Sequence, residues 1–293
     1  MKLIIDTDFG DDIDDTFALA YLIRKKRDEI ALVLSDYGET FKRAELICGF
    51  LERCDALLVP VAAGKHMDFR DPYQYRFAEQ HPKIKSYDPD GISAACRIIS
   101  ESQEEIIWIA MGPAVNLYEI LQRIPEHAHK LKVYGMFGSV FTGYYGSAVP
   151  DREYNVMSAE KEFRYLLQNM PDLTITPLDS CGDIYLENER YEQLMKCEDV
   201  VGKNVAWDYR RWKSLDFCRT QEHCTSILYD TVAVYMALDG SLLEYKKLKL
   251  EVNEGRTVIC EKGFPVNIAI RWKDKEGYLD ELASAFTGEK SGI

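Results

Sequence analysis

The stretch LIIDTDFGDDIDDTFALA, residues 3–20, decides the fold of this chain. It begins with a short apolar run at 3–6, which is typical of a buried strand, and its end has helix-like spacing that continues to residue 26. A buried strand that leads directly into a helix is the opening of an α/β unit. Six aspartates stand between and around these two elements: Asp6, Asp8, Asp11, Asp12, Asp14 and Asp15.

The rest of the chain repeats this alternation of apolar runs and amphipathic stretches. Further buried strands are predicted at 30–34, 58–63, 105–110, 131–136 and 173–178. Helices are predicted at 39–53, 90–101, 114–123, 157–169 and near 226–238. Strand–helix alternation predicts an α/β fold with a mostly parallel open sheet and helices on both faces.

The C-terminal part differs from this pattern. Residues 246–272 alternate apolar and polar positions between turn residues, which indicates late strands or a hairpin, and a closing helix is expected at 276–286. Without an internal repeat or a low-complexity linker, we expect residues 1–293 to form a single domain.

Composition excludes several classes of partner. The net charge of −13 argues against nucleic acid and against an anionic membrane surface. No stretch approaches the ~18 apolar residues of a membrane span. The eight cysteines form no Cys-x-x-Cys pair, which disfavours a zinc ribbon, and their scatter favours reduced thiols in a cytoplasmic protein.

The aspartate cluster is the strongest functional signal. Carboxylates this close repel one another and raise one another's pKa, which a chain tolerates when a divalent cation neutralises them or when the segment is solvated. An acidic helix start explains one or two aspartates. It does not explain Asp6 and Asp8 at the end of an apolar strand, so we expect a site for a hard cation.

The opening segment resembles that of the inosine–uridine-preferring nucleoside hydrolase family, which starts with a strand, an Asp-x-Asp-x-Gly…Asp-Asp segment and a helix. Here the segment is Asp6-Thr-Asp8-Phe-Gly10…Asp14-Asp15. Further segments match in the right order: VPVAAG at 59–64, AMGPAVN at 110–116, Glu153-Tyr-Asn155, TPLD at 176–179, and VNEGRTV…FPVNIAI near the end. The resemblance implies the fold of that family and calcium-dependent hydrolysis of a ribonucleoside to ribose and free base.

The resemblance also implies a role for each matching residue. Asp8 would be the general base that activates a metal-bound water. The expected Ca²⁺ ligands are Asp8, Asp15, Asp230 and the main-chain carbonyl of Met111. Glu153 and Asn155 would bind ribose hydroxyls. A further ribose hydroxyl would be held by Asp14, judged by distance from the helix, or by Asp12, judged by distance from Asp8, because the segment is two residues longer here than in the commonest form.

The leaving-group side departs from the family pattern. Tyr229 stands where relatives often have a histidine, so Tyr229 is expected to orient or hydrogen-bond the leaving base, with His223 as the first candidate for a proton donor. The aromatic stretch at 206–219 fits either an amphipathic helix that packs on the core or a lid over the pocket. Tyr144 and Tyr145 are expected on a loop near the pocket.

Two other functions stay open at this point. A haloacid dehalogenase-type phosphatase also places Asp-x-Asp after its first strand, but Gly10 does not match that motif and Asp14-Asp15 has no role in it. A non-catalytic nucleoside or ribose binder of the same fold would account for Tyr229. The expected partner is a small-molecule nucleoside, and the resemblance implies a homodimer or homotetramer.

Overall fold

A computed structural model of the chain describes residues 1–288. The strands of its central sheet, numbered in chain order, are β1 (Lys2–Thr7), β2 (Ile30–Ser35), β3 (Val61–Ala63), β4 (Ile106–Ala110), β5 (Leu131–Met136), β6 (Leu173–Thr176), β7 (Leu243–Asn253), β8 (Arg256–Ile259) and β9 (Phe264–Trp272). The α-helices are α1 (Asp14–Lys26), α2 (Thr40–Arg53), α3 (Gly91–Glu101), α4 (Val115–Arg123), α5 (Tyr154–Ser158), α6 (Glu160–Asn169), α7 (Leu178–Cys181), α8 (Asn188–Met195), α9 (Val200–Lys213), α10 (Tyr229–Leu238) and α11 (Lys275–Thr287).

The strand order is β3-β2-β1-β4-β5-β6-β9-β7-β8. All neighbours from β3 to β9 run parallel, whereas β7 pairs antiparallel with both β9 and β8. The prediction of a mostly parallel open sheet is therefore confirmed. Strands β1 to β3 are added toward one edge of the sheet, and strands β4 to β6 toward the other. In open α/β sheets, ligands bind in the crevice at this change of direction, which here lies between β1 and β4.

Side chains of each parallel strand alternate between two separate cores. On β1, Leu3 and Ile5 pack into one core with α1 and α10, and Ile4 packs into the other core. Trp108 of β4 is fully buried in that second core beside α3, α4 and α6. Both faces of the sheet are therefore covered, which agrees with the nearly continuous apolar character of the strands.

The larger differences from the predictions concern three elements and one helix that was not predicted. β3 begins only at Val61, because Leu58 is 97% exposed and Pro60 has no N–H for a sheet hydrogen bond. The helix predicted at 157–169 is two helices separated at Ala159, whose backbone is not helical. The strand predicted at 173–178 ends before Pro177, and Leu178 begins α7. Helix α8 was not predicted, since Leu194 is its one buried residue.

The C-terminal region has the predicted order of elements. The strands expected at 246–272 are β7, β8 and β9, which occupy 243–272 with two turns between them, and the closing helix is α11. The last five residues of the predicted domain lie outside the described residues. Within 1–288, no helix combines the length and apolar character that a bilayer span requires.

Candidate active site

The acidic loop follows β1 and ends in the first turn of α1. Asp14 and Asp15 begin α1, where two negative charges lie at the positive end of the helix dipole. Gly10 has φ +112, and a Cβ at this position would lie 2.6 Å from the Leu46 side chain. Glycine at residue 10 therefore lets the loop turn tightly beneath the crevice between β1 and β4.

Three buried carboxylates meet at this edge of the sheet. Asp14, Asp15 and Asp230 each offer an oxygen that lies within 4.8 Å of those of the other two. Asp230 comes from the first turn of α10, and its backbone N–H donates to Asp14 Oδ2 over 3.4 Å. Asp15 accepts a short hydrogen bond from the Thr7 hydroxyl. Three hard oxygen donors within this distance suit a divalent cation.

The predicted ligands Asp8 and Met111 line the same cavity. Asp8 does not belong to the group of three whose oxygens converge, whereas Asp14 does. The Met111 carbonyl lies at the end of β4 and accepts a hydrogen bond from Asn155 Nδ2 at 2.8 Å. A carbonyl oxygen has two lone pairs, so this bond leaves one for another ligand.

Burial is the main reason that the pKa values of these carboxyl groups are raised. It raises the pKa of Asp14, Asp15 and Asp230 well above the ordinary value, and the neighbouring carboxylates raise it further. Burial also raises the pKa of Asp8 to about 6, although the positive charge of Arg43 opposes that shift. Burial and mutual repulsion therefore favour the protonated forms of these carboxyls, and a bound cation would oppose that effect.

Arg43 of α2 holds the acidic loop in place and was not singled out from the sequence. Its fully buried guanidinium donates to the carbonyls of Asp8, Phe9 and Tyr37, and Nη2 donates to Asp11 Oδ2 at 2.7 Å. A signal existed, because position 43 lies on the apolar face of α2 that Ile47 and Phe50 also occupy. A charge there needs buried partners.

Glu153 and Asn155 form the polar side of the cavity beside Met111. The Glu153 carboxylate caps α5 and accepts from the backbone N–H groups of Gly138 (2.8 Å), Asn155 (2.7 Å) and Val156 (3.1 Å). The pKa of Glu153 is raised to about 7, because burial outweighs the opposing effect of these three hydrogen bonds. Asn155 Nδ2 donates to the carbonyls of Met111 and Met136, which leaves its side-chain oxygen for a ligand.

The structure separates the two residues expected at the leaving group. Tyr229 lines the cavity at the start of α10, with its ring perpendicular to that of Tyr144, and burial raises its pKa. His223 lies outside the cavity: its side chain is 65% exposed, and Nδ1 is 2.6 Å from a carboxylate oxygen of Glu192. The structure therefore does not bring His223 to the base side.

Asp12 and one residue of the aromatic stretch at 206–219 line the cavity. Asp12 is exposed at the cavity, whereas Asp14 is buried in the group of three carboxylates. Of the two forms predicted for the stretch at 206–219, the structure shows the helix that packs on the core over the first part of the stretch. Tyr209 and Trp212 pack into the core from α9, and Phe217 lies beyond the end of α9 and lines the cavity.

The cavity has a volume of about 350 Å³, and its lining contains two chemically different groups of residues. Carboxylates, Met111 and Asn155 offer oxygen ligands and hydrogen-bonding groups. The others are Arg70 and six aromatic residues: Tyr73, Tyr144, Tyr145, Tyr154, Phe217 and Tyr229. Arg70 and Tyr73 were not predicted as site residues, because they belong to an irregular segment that no strand or helix pattern connects to the acidic loop. A volume of this size accommodates a small ligand.

Comparisons with known proteins agree with this arrangement. The model of the family "Inosine-uridine preferring nucleoside hydrolase" matches residues 3–280. Uridine nucleosidase 1 of Arabidopsis thaliana is 23% identical over 84% of this chain and 76% of its own length. Probable uridine nucleosidase 1 of Oryza sativa subsp. japonica is 24% identical over 72% of this chain and 69% of its own.

Solved structures show the same fold. A plant nucleoside hydrolase superposes with a TM-score of 0.80 at 19% identity and covers 98% of both chains. An inosine-guanosine nucleoside hydrolase gives a TM-score of 0.80 at 18% identity over 99% of both chains. A purine-preferring ribonucleoside hydrolase from Gardnerella vaginalis gives 0.78 at 18% identity over 98% of both chains.

The raised pKa values predict how stability depends on pH in the presence of a chelator. The folded protein binds protons on carboxyls that the unfolded chain, with ordinary pKa values near 4, has already released. This contribution is complete below about pH 4 and is lost as the pH rises through the folded values, about 6 for Asp8 and about 7 for Glu153. The free energy of unfolding should therefore fall between about pH 4 and pH 7.

Urea unfolding at several pH values measures this dependence, with the same series in excess calcium as the comparison. Calcium should stabilise the protein more at the upper end of the range than at the lower end, since protons and the cation compete for the same oxygens. Stability that stays constant or rises with pH in chelator would contradict the pKa assignments.

Proposed function

Because the chain belongs to the inosine-uridine preferring nucleoside hydrolase family, whose members act on N-glycosyl bonds, we propose that it hydrolyses ribonucleosides to ribose and free base in a calcium-dependent reaction. One observation carries the calcium part of the proposal. Three buried carboxylates converge in the cavity that also contains Asp8, the Met111 carbonyl and Asn155. Neither a haloacid dehalogenase-type phosphatase nor a non-catalytic binder is favoured by the family match.

The donor set suits a calcium ion. Asp14, Asp15, Asp230 and the Met111 carbonyl offer hard oxygens and no nitrogen or sulfur, which is the ligand type that calcium prefers over zinc. Calcium accepts about 6–8 such ligands, so coordination positions would remain for the ribose diol and for water. When bound, the ion would make a water molecule more acidic and hold the diol of the sugar. Asp8 stays a proposed further ligand.

Asp8 is the proposed general base. It lines the cavity beside the converging carboxylates, and its pKa of about 6 is close to the value that suits proton transfer near neutral pH. Arg43 fixes its main chain through the carbonyl of Asp8, so the carboxylate approaches the water from a constant direction. Asp8 takes the proton as the water oxygen bonds to the anomeric carbon.

Glu153 and Asn155 are proposed to bind the ribose hydroxyls. Asn155 is held by two carbonyls and Glu153 by three backbone N–H groups, so neither side chain has to reorganise when a sugar enters. Since Asp14 belongs to the converging group, we assign it to the cation and assign Asp12, at the rim, to a ribose hydroxyl. Fixing the hydroxyls orients the ring so that positive charge can develop at the anomeric carbon as the bond to the base breaks.

A nucleoside panel tests the function. Uridine comes first because two relatives carry the name uridine nucleosidase; cytidine, inosine, adenosine and guanosine follow. We expect free ribose from at least one of them, loss of the activity in chelator, and recovery with calcium. 2′-Deoxyuridine should react about 10–100-fold more slowly than uridine, since it leaves a buried hydrogen-bonding group unpaired.

The panel separates this function from its alternatives. Release of phosphate from sugar phosphates with magnesium, and no ribose from any nucleoside, would favour a phosphatase. Calorimetric binding of nucleosides with no turnover across the whole panel would favour a binder.

Replacing Asp8 by Asn should abolish turnover and preserve the fold. Asn has nearly the same shape but cannot accept the proton, so kcat should fall by at least about 100-fold while KM changes much less. Steady-state kinetics with uridine measures both constants, and the exposed Asp172→Asn variant is the matched control. If Asp8→Asn kept more than about a tenth of kcat, a change of only ~1.4 kcal/mol, Asp8 would not be the base.

A further inference from the structure

The base side of the cavity lacks the group that usually assists departure of a base. When the N-glycosidic bond breaks, its electron pair goes to the base nitrogen, and the base then needs a proton or a nearby positive charge. No histidine is among the cavity-lining residues of the described chain, and the tyrosine hydroxyls that line it are ordinarily weak acids at neutral pH. Leaving-group assistance must therefore come from elsewhere.

We propose that the guanidinium of Arg70 stabilises the negative charge that develops on the departing base. This inference rests on the proposed function and assigns a residue to its least explained step. Arg70 is the one lysine, arginine or histidine side chain that lines the cavity within residues 1–288. It lies in the irregular segment between β3 and α3, and its guanidinium packs over the ring of Tyr73, which also lines the cavity.

The Asp11 carboxylate only partly neutralises Arg70, because it is also bound by Arg43. Asp11 Oδ1 accepts from Arg70 Nη1 at 2.7 Å, and its Oδ2 accepts from Arg43 Nη2 at 2.7 Å, so two guanidinium groups share one carboxylate. Arg43 is fully buried, and its Nε and Nη1 donate to main-chain carbonyls. Arg70 is 40% exposed at its side chain, and its Nε and Nη2 have no acceptor among the described residues.

The position of Arg70 is fixed rather than left to a mobile side chain. Its guanidinium carbon lies 3.8 Å from the centre of the Tyr73 ring and 5.5 Å from that of Phe69. The backbone N–H of Tyr73 donates to Asp11 Oδ1 at 3.1 Å, so the same carboxylate anchors the cation and the ring beside it. A cation held in advance needs little reorganisation during the reaction.

An aromatic surface for the base adjoins this cation. The rings of Tyr73 and Phe217 have centroids 4.4 Å apart, and both residues line the cavity. Trp212 Nε1 donates to the Asp11 carbonyl at 3.0 Å, which ties the end of α9, just before Phe217, to the acidic loop. A planar base that contacts these rings would lie beside the guanidinium, close enough for its positive charge to act on the departing nitrogen.

The step balances without another reactant. The bond from the anomeric carbon to the base nitrogen breaks, and its electron pair stays on the base. The water oxygen bonds to the anomeric carbon, and Asp8 takes the water proton. The anionic base beside Arg70 takes a proton from solvent, and Asp8 returns its proton to solvent. Arg70 contributes only its positive charge to this step and neither gains nor loses a proton.

The test compares two substrates whose leaving groups need different amounts of help. Uridine has a poor leaving group, and p-nitrophenyl riboside has one that departs readily. Arg70→Met should lower kcat/KM for uridine by at least about 30-fold and change that for p-nitrophenyl riboside by less than about 3-fold. Arg70→Lys, which keeps the charge, should recover part of the uridine activity. Arg271→Met, at an exposed arginine outside the cavity, should affect neither substrate.

Each other outcome has a definite meaning. If Arg70→Met slows both substrates equally, or slows neither, the proposal is overturned, because a residue that only links Asp11 to the cavity wall would not discriminate between leaving groups. Arg70→Gln keeps a donor for Asp11 without the charge and gives the same comparison should the methionine variant not fold. If the wild-type protein prefers another nucleoside of the panel, that nucleoside replaces uridine in the comparison; a wild-type protein that releases ribose from no nucleoside of the panel would overturn the proposed function itself.

Discussion

Mutual repulsion among buried carboxylates is the constraint on which the rest of this structure depends. Asp8, Asp14, Asp15 and Asp230 share one crevice, and burial makes their charged forms costly. The fold offsets that cost in several ways. The N-terminal turns of α1 and α10 face the group, the Thr7 hydroxyl donates to Asp15, and the Arg43 guanidinium lies behind the loop. We propose that a calcium ion supplies the largest part of the compensation.

The sheet topology explains how distant parts of the chain reach one crevice. Asp14 and Asp230 are 216 residues apart in sequence, yet each begins a helix at the edge where parallel strands end. The crevice lies between β1 and β4, where the strand order reverses, so the segments after these strands diverge and leave room for a ligand. Carboxylates, an amide and several aromatic rings line this space.

Much of this arrangement was predictable from the sequence, because short-range patterns determine it. The apolar runs predicted most of the strands, and the family resemblance of several segments implied that Asp15, Asp230, Met111, Glu153 and Asn155 belong to one site; all five line the same cavity. Their roles there stay proposals. Contacts made by irregular segments were not predictable. Arg70 and Tyr73 reach the cavity only because Asp11 binds that segment, and His223 turns to Glu192 from a backbone with φ +53.

Calorimetric titration of calcium into chelator-treated protein tests the central claim most directly. The account predicts one calcium ion per chain, with affinity reduced at least about tenfold in Asp230→Asn and unchanged in the exposed Asp172→Asn variant. Absence of calcium binding, preference for zinc over calcium, or equal affinity in Asp230→Asn and wild type would contradict it.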